Sequence, residues 1–199
     1  MTPSPRVPED STAPVRLSPG DEPSLGLEAW MAGYQMADEA AATALIRKVS
    51  PLLLRFFLVQ AATRRFAEDL VQETWIRVHR ARHTYRGGEP VLPWIFAIAR
   101  HAGLDSMRKT RRVEFRETQV DVLPPVASAE PFASSGDLDA LLAGLPPAQR
   151  EVIVLLKISG MTIEEVALAT SASAGSVKQK AHRAYRRLRE VLSRRARSQ

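Results

Sequence analysis

The chain has 199 residues, 45% of them hydrophobic, with no cysteine, four histidines and a formal net charge of +6. Absent cysteine excludes disulfides, thiolate metal sites and cysteine nucleophiles and fits a reducing cytosol. His79, His83, His101 and His182 show no metal-ligand spacing, so neither metal nor cofactor is expected. No run of about 18 apolar residues is present, so no membrane insertion is expected, and the basic balance favours a polyanionic partner.

Residues 1–24 carry Pro3, Pro5, Pro8, Pro14, Pro19 and Pro23 with few large apolar groups, and read as a disordered tail without a signal-peptide core. The texture changes at Leu25. Glu28 to Val49 reads as one helix burying Trp30, Tyr34, Leu45 and Val49. Pro51 is expected to punctuate, with a second, apolar helix over Leu52 to Ala62. A third helix, about Arg65 to His83, places Leu70, Val71, Trp75 and Val78 on one stripe. Asp69, Gln72, Glu73, Arg77 and Arg80 fall mostly off it. Gly87, Gly88, Pro90 and Pro93 mark a loop from about Thr84 to Pro93. A fourth helix follows from Trp94 to about Arg112, with Ile95, Ile98, Ala99, Ala102 and Met107 as its core stripe and a basic end.

Residues 114–135 lose periodicity around Pro124, Pro125 and Pro131 and read as a flexible linker. Helical spacing returns at Leu138, Leu141, Leu142 and Leu145, and Pro146-Pro147 restarts the chain. Gln149 to Ile158 reads as a buried helix stopped by Gly160. Thr162 and Glu165 match a capping box opening a short helix to Ala169. After a turn at Thr170 to Ala172, Ser173 caps a long final helix to about Ser193. No segment has strand period. The expected fold class is all-α: two small helical domains, 25–113 and 136–195, joined by a flexible linker.

The segment from Ile163 to His182 has the pattern of a helix-turn-helix, with the small Ala167 at the crossing and Val166 and Val177 fixing the angle. Ser171 stands where glycine is common. Ser176, Lys178, Gln179, His182, Arg183 and Arg186 share the opposite face of the final helix. Gln, Lys and Arg read base edges and hold phosphates, and the helix N-terminus with Ser173 suits a backbone phosphate. The structural alternative is a helical hairpin with a solvated basic face. In the first domain, Tyr85 and Arg86, a Gly-rich loop and Pro93-Trp94 precede a basic helix, a setting able to capture an unstacked base. Trp94 and Phe96 are equally explained as core.

Glu68-Asp69-Leu70-Val71-Gln72-Glu73-Thr74-Trp75, Tyr85-Arg86 through Pro93-Trp94 to Arg100, Leu145-Pro146-Pro147 to Val152, and Ser173 to Lys178 together resemble the extracytoplasmic-function (ECF) sigma factors of the sigma-70 family. The resemblance covers about Trp30 to Leu192. It implies that the chain directs core RNA polymerase to promoter DNA. Asp69, Gln72, Glu73 and Arg77 would contact the β′ clamp helices. Arg86, Gly87, Gly88 and Glu89 would hold a flipped base of the −10 element beside Trp94. Arg100, His101, Asp105, Arg108, Lys109 and Arg112 would line the adjacent DNA. Ser173, Ser176, Lys178, Gln179, His182, Arg183 and Arg186 would read the −35 element. The family also implies contact with the β flap, control by an anti-sigma factor and a cytoplasmic location. The Pro-rich tail lies outside the family pattern.

Two other readings stand beside this one. A helix-turn-helix regulator independent of polymerase explains the second domain but not the acid-and-amide helix or the aromatic loop of the first. An enzyme would need a nucleophile–base set or phosphate loop, and none is present. His101 and Asp105, at i, i+4, read as a surface pair beside DNA. A membrane-surface helix over Arg183 to Arg197 is weak, since the core claims its apolar face.

Overall fold

The computed structural model describes residues 26–60, 63–117 and 141–197, with side chains described over 26–60, 63–109 and 141–195. The expected tail, 1–24, and linker residues 118–135 lie outside the described residues. Every regular element among the described residues is helical. In chain order these are α1 (Leu27–Gln35), α2 (Glu39–Leu58), α3 (Arg64–Ala81), a 3-10 turn (Arg82–Thr84), α4 (Val91–Glu117), α5 (Pro147–Ile153) running into a π turn (Val154–Ile158), α6 (Ile163–Thr170) and α7 (Ala174–Arg197).

The single helix expected over Glu28 to Val49 is broken. Ala37 adopts a left-handed φ of 63°, and Asp38 restarts the chain as an N-cap, its Oδ1 accepting from the N–H groups of Ala40 (2.8 Å) and Ala41 (3.1 Å). The two helices fold back closely at Gly33, where a Cβ would lie 2.6 Å from the Ala41 Cβ. Pro51 does not punctuate. It lies within α2, where a missing N–H and ring clash cost about 3 kcal/mol. Burial of Leu45, Val49, Leu53, Phe56 and Phe57 on the same helix offsets that cost. Phe56 anchors the first core edge-on to Phe57 (5.2 Å) and Phe96 (5.3 Å).

Thr63 caps α3, its Oγ1 accepting from the Phe66 N–H. Helix α4 starts at Val91, with Pro93 buried in its first turn, and continues past residue 113 to Glu117, so the first residues of the expected linker are helical. Met107 is 49% exposed and is not core. Ile95, Ala99 and Ala102 are buried, and at 100° per residue Ser106 continues their line while Met107 falls well off it.

The second half follows its local signals closely. Gly160 takes φ 70°. Thr162 and Glu165 form the full capping box. Ser171 adopts the left-handed conformation, φ 52°, and Ser173 Oγ accepts from the Ser176 N–H. Val166 and Val177 are fully buried where α6 and α7 meet. The sequence places Val177, Ala181, Leu188 and Leu192 on one apolar stripe of α7; Val177 and Ala181 are buried and Leu188 packs against the core, but Leu192 is half exposed, so the stripe ends before it.

The two halves share one apolar core. Helix α6 packs on α4. Arg150 donates to the Val59 carbonyl at the end of α2 (2.7 Å) and to the carbonyls of Ala143 and Leu145 beside its own helix. Arg100 of α4 pairs with Glu151 of α5 at 3.1 Å.

Candidate functional site

Helices α3 and α4 enclose a groove of about 400 Å³ lined by Asp69, Glu73, Arg77, Asp105, Ser106 and Lys109, among others. Asp69 stands exposed on its α3 side, and Gln72 is exposed on the same helix outside the groove lining. Arg77, half-buried, bridges the walls: its Nε donates to Glu73 (2.7 Å) and one terminal nitrogen to Asp105 (2.8 Å). That hydrogen bond holds the Asp105 carboxyl below its ordinary pKa and raises that of Arg77. Arg108 adds a longer contact to Asp105, 3.7 Å. The sequence reading assigns Arg77 and Asp105 to different partners. The structure brings them into one network.

Beyond α3 the chain turns through Arg82–Thr84 into a tight loop. Arg86, Gly87, Gly88 and Glu89 are all exposed. The Glu89 N–H returns to the Arg86 carbonyl, and Gly88 has φ 87°, a conformation that favours glycine. Under the loop Tyr85 is 4% exposed. Its hydroxyl donates to the Glu89 carbonyl, and its ring meets Trp94 edge-on at 5.6 Å. Burial raises the Tyr85 pKa, and the nearby Glu28 and Glu89 add to this. Trp94 is half-buried, so it packs as core and still shows part of its ring, whereas Phe96 is core. Sequence reasoning missed Gln35, whose side-chain N–H group reaches the Arg82 (2.7 Å) and Tyr85 (2.9 Å) carbonyls. No local motif marks it, because both partners lie more than 40 residues away.

Along α4, His101, Arg108 and Lys109 are exposed, while the side chain of Arg112 lies outside the described residues. Arg100 is engaged by Glu151. Burial pushes the Glu151 carboxyl up, against the pull of Arg100 and Lys180. On α7, Lys178, Gln179, His182, Arg183 and Arg186 are exposed, Ser173 sits at the cap and Ser176 is half-buried. Val177, Ala181 and Ala184 face inward. The sequence-predicted basic face is therefore an outward face of a helix-turn-helix.

Residues 45–113 match the family model for sigma-70 region 2, and residues 135–188 match that for sigma-70 region 4. The RNA polymerase sigma factor CarQ of Myxococcus xanthus is 34% identical over 152 residues, 74% of this chain and 87% of that protein. The ECF RNA polymerase sigma factor ShbA of Streptomyces griseus is 34% identical, covering 77% of this chain and 88% of the other. The chain belongs to the ECF sigma factors of the sigma-70 family.

As an ECF sigma factor it directs core RNA polymerase to promoters and initiates transcription, which overturns the alternative of a regulator independent of polymerase. The solved structure of the sigma factor RpoE with the anti-sigma factor NepR from Bartonella quintana is similar, with TM-score 0.61 and 30% identity over 74% of this chain and 94% of that one. The structure of CnrH with the cytosolic domain of CnrY, at 21% identity and TM-score 0.63 over 83% and 96% of the two chains, shares the fold. Among the described residues no helix is long and apolar enough to cross a membrane.

Proposed function

We propose that promoter recognition is divided between two modules, 25–113 and 136–195, and that the chain catalyses nothing itself. The groove-lining Asp69 and Glu73, with Gln72 and Arg77, grip the clamp helices of the polymerase. The loop Arg86 to Glu89 holds an extruded −10 base. Arg100, His101, Arg108, Lys109 and Arg112 hold the neighbouring phosphates, and Asp105 keeps Arg77 in place. Ser173, Ser176, Lys178, Gln179, His182, Arg183 and Arg186 engage the −35 element. The observation that carries this reading is the separation of chemistries. An acid-and-amide surface lies on α3, and a basic outward face lies on a capped helix-turn-helix. Base-edge contacts contribute only about 1–3 kcal/mol each, so two weak readers become selective when one chain and one polymerase join them. On the likeness to RpoE, an anti-sigma protein is a partner of this chain too.

The docked arrangement opens in this scheme. Elements centred near −10 and −35 lie about 25 base pairs apart, roughly 85 Å at 3.4 Å per pair, whereas α4 and α6 touch. Residues 118–135, between α4 and the second module, reach about 60 Å at full extension, enough to let the second module travel, and opening frees Arg100 from Glu151 for phosphate.

Transcription in vitro with core polymerase over a promoter library tests the division. Lys178→Ala or Gln179→Ala shifts preference at −35 alone. Asp69→Ala with Gln72→Ala abolishes core binding and leaves helicity intact. Normal core binding by that double variant would overturn the role given to α3.

A further inference from the structure

The loop assigned to the −10 base is braced from outside its own segment. Gln35 is the last residue of α1. Its side-chain amide donates to the carbonyls of Arg82 and Tyr85, residues that bound the turn launching the loop. Tyr85 then carries the brace across: its hydroxyl reaches the Glu89 carbonyl at the far end of the loop, and its ring rests edge-on against Trp94. Three carbonyls around the loop are thus satisfied by two side chains, while Arg86, Gly87, Gly88 and Glu89 stay exposed.

We propose that Gln35 and Tyr85 are positioning residues for −10 recognition, holding Arg86–Glu89 in one shape so that selection of a base is not spent on ordering the loop. The proposal rests on reading that loop as the base-holding one. Ordering costs subtract directly from binding, and preorganisation removes them. A braced loop offers one pocket and discriminates among bases. An unbraced loop adapts to several bases and discriminates less. Removing the Gln35 amide takes away two hydrogen bonds. At ordinary net strength, the loss corresponds to roughly tenfold in discrimination.

The test is transcription by the reconstituted holoenzyme over templates randomised at each −10 position, with core affinity and −35 preference measured alongside. Gln35→Ala and Gln35→Met should each lower the best-to-worst base ratio at one −10 position about tenfold, and Tyr85→Phe, which removes a single hydrogen bond, about threefold. Core affinity and −35 preference should stay at the parent values. Methionine keeps the volume of Gln35 without its donors. A Gln35→Met variant that discriminates like the parent therefore means packing alone matters and overturns the brace. A uniform loss at every position together with weaker core binding means a general structural defect and overturns it too. The variant Arg86→Ala with Glu89→Ala separates the two levels. If it loses discrimination while Gln35→Met and Tyr85→Phe keep it, the loop reading stands and the brace falls. If it also keeps full discrimination, the loop reading fails and takes the brace with it.

Discussion

Reversing the charge at Glu151 should separate the two halves of the chain. Its carboxylate lies 3.1 Å from the Arg100 Nε across their interface, with side-chain exposures of 15% for Glu151 and 32% for Arg100. In Glu151→Lys two cations replace the pair. At an effective dielectric constant near 20 a unit pair at this distance interacts by about 5 kcal/mol. Arg100 is close to a third open to water, and screening reduces the net effect to about 2–3 kcal/mol. That moves the docked-to-separated ratio by roughly 30- to 150-fold. The chain has no cysteine, so Ala40→Cys and Lys157→Cys, both at exposed positions, introduce the only thiols for a donor and acceptor dye. Energy transfer between them should fall in Glu151→Lys and return in the charge-swapped Arg100→Glu/Glu151→Arg, with circular dichroism unchanged. Unaltered transfer in Glu151→Lys would refute the reasoning.

The same carboxyl makes docking depend on pH. Burial raises the Glu151 pKa in the docked state, and Arg100 from α4 and Lys180 from α7 only partly oppose it. A carboxyl raised in this way contributes its stabilisation below its exposed value, about 4.3, and loses it as pH rises through the docked value. Energy transfer should therefore decline with rising pH across that window, while Glu151→Gln, permanently neutral, stays flat. Gly33→Val should destabilise the fold by about 1–3 kcal/mol in chemical denaturation, because a Cβ there lies 2.6 Å from the Ala41 Cβ and α1 must shift. Arg186→Ala should lower the log–log salt dependence of promoter binding by about 0.9, the share of one phosphate contact. An unchanged slope with altered −35 preference would make it a base reader.

Local chemistry carried most of the second half. Gly160, the Thr162–Glu165 box and Ser173 each act within a few residues, and the structure uses all three. The first half shows where local rules meet competition. Pro51 ordinarily ends a helix, yet burial on both sides of it holds α2 continuous. The α1–α2 break was legible in hindsight from Asp38, a strong N-cap residue, but the alanines around it support helix equally well. The surfaces read from motif are all exposed or half-buried where described. The link between Arg100 and Glu151, 51 positions apart, could not be seen. Ion pairs between modules leave no spacing signature. Gln35 escaped for the same reason.

The continuity of α4 has a mechanical consequence. From Val91 to Glu117 it is one helix of 27 residues, about 40 Å long at 1.5 Å per residue. The tether to the second module leaves from the tip of this boom. Its first three turns are clamped, because Val91, Ile95, Phe96, Ala99 and Ala102 are buried, and a swing at its base would drag them out of the core. The boom therefore fixes where the tether starts, and differences in spacing between the two promoter elements fall to the tether alone.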